Sequence, residues 1–300
     1  MKIQTMSIVC GTTECNAHCP FCISKTTPKM GTDLTYAPSG GMMSADFLAN
    51  SLSEKSSRNL MIASRLAAKG GATTCLVTGK GEPTLYPDLI SRYLSVIAPY
   101  FPLIEMQTNG IAIGQDDELN SSLTHWYSLG LTTIALSAVE TGFANKKIYG
   151  DNYPELSDTI KKIHSFGLSV RLSIMMLKKY IDSPKQVERL VAFCKENKVE
   201  QLTIRPIVSP DNVDSPTTRG ISDHTLTDKQ VEDIKTYIKE KATPVLHLAH
   251  GATVYDLDGQ NLCYATCLTT NKTTDNMRQI IHFPDGTIGY DWKYEGAILL

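Results

Sequence analysis

Three cysteines fall within the short run Cys15-Asn-Ala-His-Cys19-Pro-Phe-Cys22. Thiolates are soft ligands that suit zinc or an iron-sulfur cluster. A run this tight, broken by Pro20, cannot be regular helix or strand along its whole length, which lets three sulfurs turn toward one centre. Structural zinc takes four ligands, usually as two separated pairs, and the spacing of His18 to the cysteines suits chelation badly. A 4Fe-4S cluster normally takes four cysteines, so three leave one iron open to a small molecule. The cluster is therefore favoured over zinc, and over the reading of three small buried hydrophobes. The remaining cysteines are Cys10, Cys75, Cys194, Cys263 and Cys267. The first residues lack an export signal, so the expected compartment is the cytoplasm, where thiols stay reduced and a disulfide framework is not expected.

The elements that must position these sulfurs follow from hydrophobic periodicity. Short β-branched runs at Gln4 to Cys10, Thr73 to Thr78, Leu103 to Gln107, Thr132 to Ser137, Leu168 to Met175 and Gln201 to Ile204 read as six strands. Helical spacing marks Ala45 to Lys69, Pro87 to Ala98, Asp117 to Leu129, Tyr153 to Ser165, Pro184 to Asn197 and Thr227 to Lys241, with Ser44 or a neighbour capping the first and Gly70-Gly71 stopping it. This alternation predicts an α/β fold with parallel strands, a partial (β/α)6 TIM-like barrel or a doubly wound sheet. Residues 24–43 and 208–222 have loop composition. Residues 1–249 are assigned to the barrel, and 250–300 to a C-terminal extension or cap with a hairpin over Gln279 to Trp292 around Asp285-Gly286. The cysteine run follows the first strand, at the C-terminal rim where such folds carry their active sites.

With these residues in view, the chain resembles the radical S-adenosylmethionine superfamily, whose motif is C-x3-C-x-aromatic-C; Cys15, Cys19, Phe21 and Cys22 match it. The resemblance implies three cysteines as cluster ligands, a free iron chelated by the amino and carboxylate groups of S-adenosylmethionine, and reductive cleavage to a 5′-deoxyadenosyl radical. It also implies that the backbone around Phe21 lies beside adenine. The turn Thr78-Gly79-Lys80-Gly81-Glu82-Pro83-Thr84 is similar to the family's Gly-Gly-Glu motif, which hydrogen-bonds the cofactor's amino group; Gly81 and Glu82 carry over, and Lys80 stands in place of a glycine. Gln107-Thr108-Asn109-Gly110 is similar to the Thr-Asn-Gly of the molybdenum-cofactor cyclase and peptide-modifying branches, though Asn109-Gly110 is equally a generic turn. Ser137, by the same likeness, lies near the cofactor.

Other rim residues follow from position. Glu140 is left to face substrate. Arg171 and Ser173 share one face of the fifth strand, and a cavity arginine needs an anion, for which the cofactor's methionine carboxylate is the natural partner. On the sixth strand the backbone near Ile204 is placed against adenine, and Arg205 against either a substrate phosphate or carboxylate. Met175 and Met176 read as core or cavity filler, and His125, His164, His247 and His250 lack the spacing of a metal site. The pair Cys263 and Cys267 falls short of the three or four ligands of an auxiliary cluster.

A formal charge of -2 over 300 residues gives no broad basic field, so nucleic acid is not an expected partner, and no apolar run is long enough to span a membrane. The expected function is a radical S-adenosylmethionine enzyme of oxidoreductase or lyase type. Arg205, Lys178, Lys179 and Glu140 suit a small polar or nucleotide-like substrate, with a peptide as the alternative. A flavodoxin- or ferredoxin-type reductant is implied. The rivals are a non-catalytic protein holding zinc or a labile cluster for regulation, and an enzyme using the cofactor as methyl donor.

Overall fold

Alternate side chains along the strands separate onto two faces. The computed structural model describes residues 2–27, 31–32, 52–115, 117–208, 215–248, 251–265, 276–292 and 296–300. Strands β1 (Ile3–Val9), β2 (Thr74–Thr78), β3 (Leu103–Thr108), β4 (Thr133–Ala138), β5 (Ser169–Met176) and β6 (Gln201–Pro206) pair in that order, all parallel. One face carries Met6, Ile8, Cys75, Val77, Ile104, Met106, Ile134, Leu136, Val170, Leu172, Ile174, Leu202 and Ile204, all in one core with the helices. The other face carries Glu105, Gln107, Arg171, Ser173, Thr203 and Arg205, joined by side-chain hydrogen bonds. Among the described residues the helices pack against the apolar face of the parallel sheet, which leaves a polar concave face.

The covering helices are α1 (Glu54–Lys69), α2 (Pro87–Ile97), α3 (Ile111–Gln115), α4 (Leu119–Ser128), α5 (Ala144–Tyr149), α6 (Leu156–Ser165), α7 (Pro184–Glu196), α8 (Pro216–His224) and α9 (Asp228–Lys241). Helix α1 starts later than its periodicity suggested, because the Ser53 side chain accepts from Ser56 N–H at 3.1 Å and fixes the N-terminus there. The proposed Ser44 cap lies outside the described residues. Helix α8 replaces the loop expected at 216–222, while 209–214 lie outside the described residues: Ser215 and Thr218 form a capping box, with Pro216 at the first helical position.

The described residues after α9 extend the sheet at both of its edges. Strand β9 (Gln260–Tyr264) pairs parallel with β6 and is followed outward by β8 (Thr253–Leu257) and β7 (Thr243–His247). On the other side β10 (Met277–His282) pairs parallel with β1 and turns through Asp285-Gly286 into β11 (Ile288–Gly289). The sheet runs β11-β10-β1-β2-β3-β4-β5-β6-β9-β8-β7 and is open, its two ends unpaired with each other.

Candidate active site

The cysteine loop leaves the C-terminal end of β1 and is held by the turn after β2. Gly81 N–H donates to Thr12 O at 3.1 Å and Glu82 N–H to Glu14 O at 2.8 Å. A Cβ on Gly81 would lie 1.8 Å from Glu14 O, so only glycine allows the two backbones to meet. Farther along, His18 N–H donates to Tyr149 O at 3.0 Å, and Phe21 is buried among Ile111, Val139, Ile148, Leu177 and Ile221. Helix α8 closes the far side. His224 meets the Phe21 ring edge-on with centroids 6.2 Å apart, and a Cβ on Gly220 would lie 2.3 Å from Pro20 O.

Glu82 joins this turn to the end of β3. Its Oε1 accepts from Thr84 N–H at 3.0 Å, Thr84 Oγ1 at 2.7 Å and Thr108 Oγ1 at 2.6 Å, and its Oε2 from Asn109 N–H at 2.9 Å. Burial pushes the carboxyl pKa up, and these four donors oppose the rise. Asn109 then reaches the cysteines: its Nδ2 donates to Asn16 Oδ1 at 2.7 Å and lies 3.7 Å from Cys15 Sγ. Ala17 N–H also approaches that sulfur, at 3.4 Å. Gly81, Glu82, Asn109 and Phe21 thus lie around the triplet.

Burial raises the pKa of Cys15, with the charges of Glu82 and Cys22 adding to it and the Ala17 and Asn109 hydrogen bonds opposing. Burial, then Cys22 and Cys15, takes Cys19 up to about 12. The three sulfurs therefore lie within one another's fields and repel as thiolates, a donor set that calls for a cationic centre. Among the described residues no three His, Cys, Asp or Glu side chains are grouped closely enough to hold a single metal ion.

Deeper in the concave face the expected residues have partners within the chain. Arg171 pairs with Glu105 of β3 and also donates to Thr203 Oγ1 at 3.3 Å. Glu140 Oε1 accepts from Ala144 N–H at 2.7 Å at the start of α5. Ile204 is turned into the helix-side core, and its carbonyl accepts from Ala265 N–H at 3.1 Å, because β9 covers the edge of β6 that was to meet adenine. Ser173 and Arg205 do come together, with Arg205 Nη2 donating to Ser173 Oγ at 2.8 Å. Ser137 pairs in register with Ser173, and its carbonyl accepts from Tyr153 Oη at 3.1 Å.

Several contributors carried no signal in the sequence. Tyr149 stacks on Tyr153 with centroids 5.1 Å apart. Burial holds the Tyr149 phenol well above its ordinary pKa, the fields of Cys19, Tyr153 and Cys22 add to this, and Arg205 opposes it. Cys263 sits opposite Thr203 in register, its pKa raised by burial and lowered by Arg171 and Arg205. Its expected companion Cys267 lies outside the described residues, as does His250. His164 pairs with Glu200 at 3.2 Å and His247 with Thr253 Oγ1 at 3.0 Å, both away from the cysteines in sequence and structure.

Residues 9–194 match the family model described as the radical SAM superfamily. No curated protein matches the sequence. Similar solved structures include Streptococcus suis SuiB bound to S-adenosylmethionine, at TM-score 0.57 and 16% identity over 96% of this chain and 60% of that one. The same protein bound to its precursor peptide SuiA gives TM-score 0.56 and 16% identity over 96% of this chain and 59% of that one. Escherichia coli coproporphyrinogen III oxidase HemN, a radical SAM enzyme, gives TM-score 0.50 and 13% identity over 81% of this chain and 54% of that one. This chain spans about 60% of the length of SuiB, and at these identities the likeness is one of fold.

Proposed function

Because the chain belongs to the radical SAM superfamily, whose cofactors are a 4Fe-4S cluster and S-adenosylmethionine, we propose that Cys15, Cys19 and Cys22 hold that cluster and that the concave face binds a small polar substrate. When bound, the reduced cluster supplies the electron that cleaves S-adenosylmethionine and leaves a radical able to abstract hydrogen. The observation that carries the reading is the convergence of Cys15 with Asn109 and Glu82, from three successive strand ends.

This chain's residues have separable tasks. Asn109 and Ala17 N–H orient the Cys15 sulfur. Gly81 and Glu82 lock the loop to the turn after β2, with Oε2 of Glu82 accepting only one donor among the described residues and so able to take an ammonium. Phe21, Tyr149 and Tyr153 exclude water beneath the loop. Ser137, Ser173, Thr203 and Arg205 offer hydroxyl and guanidinium groups to a polar or nucleotide-like substrate. Glu105 compensates Arg171, so the face is polar without being strongly cationic.

A peptide substrate is the second reading; SuiB is bound to a precursor peptide in one structure of similar fold. A flavodoxin- or ferredoxin-type protein would deliver the electron. Among the described residues no helix is long and apolar enough to cross a membrane. Anaerobic reconstitution followed by incubation with a reductant and S-adenosylmethionine tests the proposal: 5′-deoxyadenosine supports it, S-adenosylhomocysteine favours methyl transfer, and neither product favours the regulatory protein. Fractionated metabolites against fractionated peptides, scored by stimulation of 5′-deoxyadenosine, separate the two substrate classes.

A further inference from the structure

Lys80 occupies the turn between Gly79 and Gly81, where the resembled motif has a glycine. A lysine in a buried turn costs free energy unless its ammonium faces something that compensates it. Lys80 is only 6% exposed. Its Nζ donates to Thr27 Oγ1 at 2.6 Å and lies 5.5 Å from the centroid of the Trp292 ring. Among the described residues no carboxylate pairs with it.

Both contacts lead somewhere specific. Thr27 Oγ1 donates in turn to Ile23 O at 3.4 Å, and Ile23 directly follows Cys22. Lys25 N–H donates to Cys22 O at 3.1 Å, closing the 3-10 turn Ile23–Lys25 that Cys22 begins. The ammonium is therefore tied, through one hydroxyl, to the turn that carries the last cysteine. Trp292 comes from the segment after β11 and packs edge-on against Phe283, with centroids 6.0 Å apart. Its ring face covers the ammonium as a cation–π partner and keeps water from screening it. Burial lowers the Lys80 pKa to about 8, and the charge of Cys22 opposes that fall.

We propose that Lys80 is a built-in countercharge to a cluster held by Cys15, Cys19 and Cys22, and that Trp292 shields it so that the cluster accepts its electron more readily. The inference rests on the proposed function, since it presupposes a cluster on the triplet. A cluster bound by three thiolates becomes one charge more negative when it takes one electron from a flavodoxin-type donor. A fixed positive charge nearby, in a poorly screened site, stabilises that reduced form more than the oxidised one. Lys80 touches neither substrate nor reacting atoms in this reading; it tunes the potential and positions the turn.

The test uses the reconstituted full chain without S-adenosylmethionine, as wild type, Lys80→Gln, Lys80→Arg and Trp292→Ala. Iron content is read first, and the ratio of reduced to oxidised cluster is then read by electron paramagnetic resonance at the potential where the wild type is half reduced. Lys80→Gln keeps a donor for Thr27 and removes the charge, so its ratio should fall about tenfold, or about 59 mV for a one-electron couple. Lys80→Arg should stay within twofold of wild type, and Trp292→Ala should fall in the same direction as Lys80→Gln by a smaller factor. Ratios for both Lys80→Gln and Trp292→Ala within twofold of wild type at equal iron content would overturn the proposal. If Lys80→Gln loses its iron, Trp292→Ala decides alone. A wild type that binds no iron would instead refute the proposed function, so the two failures are distinct.

Discussion

The side-chain amide of Asn109 lies 3.7 Å from the sulfur of Cys15, although 93 residues separate it from the neighbouring Asn16 whose carbonyl it also binds. In the proposed cluster site that amide would support a thiolate ligand from outside the coordinating set, the kind of contact whose loss typically weakens metal binding by roughly 10- to 100-fold. Reconstituted Asn109→Ala should therefore release iron to a chelator within that range faster than wild type. Equal release rates would show that the amide does not support the sulfur.

Gly220 gives a prediction whose sign is diagnostic. Alanine in place of a helical glycine ordinarily stabilises a protein by about 0.4–1 kcal/mol. Here the new Cβ would stand 2.3 Å from Pro20 O and 2.9 Å from Pro20 C, both backbone atoms of the cysteine loop. Overpacking of this kind costs roughly 1–3 kcal/mol, so Gly220→Ala should unfold at lower urea concentration than wild type. A more stable variant would mean that α8 is not seated on the loop.

These two residues mark the limit of what was legible. The six parallel strands were readable because short apolar runs recur along the chain, and in β2 buried and half-buried residues alternate throughout. The cysteine triplet was readable because its ligands are local. Helix α8 was not, since Ser215-Pro216-Thr217-Thr218 has the composition of a loop and becomes a helix start only once the capping box closes. Nor was the partner of Arg171: the strand pattern placed the side chain on the concave face, but nothing local names Glu105, two strands away, as its anion. The pairing of β10 with β1 joins opposite ends of the chain and likewise leaves no local trace.

Arg171 and Glu105 form a largely buried ion pair, with side chains 15% and 12% exposed. Removing one partner of such a pair leaves an uncompensated charge and costs roughly 3–5 kcal/mol, whereas replacing both by apolar residues costs far less. Urea unfolding of Arg171→Met should show that loss, and the double variant Arg171→Met with Glu105→Leu should recover much of it. Were Arg171 a cofactor ligand instead, Arg171→Met would weaken S-adenosylmethionine binding and leave stability nearly unchanged.

His282 makes stability depend on pH. It is fully buried between α1, α2 and β10, its Nε2 donating to Ser56 O at 3.1 Å, and burial depresses its pKa from 6.5 to about 4. As pH falls below the unfolded value, the unfolded chain takes up a proton that the folded chain refuses. Between about pH 6.5 and 4 this group should therefore remove roughly 1.4 kcal/mol of stability per pH unit. The difference between wild type and His282→Phe, followed by urea unfolding at pH 7, 6 and 5, should shrink steadily toward acid. A difference independent of pH would contradict the assignment.

The cysteine triplet is tested most directly by one paired measurement under anaerobic conditions, iron content and 5′-deoxyadenosine formation in wild type and Cys19→Ala. The account predicts about four iron per chain and product from S-adenosylmethionine in wild type, with both lost in the variant. Undiminished iron together with undiminished 5′-deoxyadenosine in Cys19→Ala would contradict it.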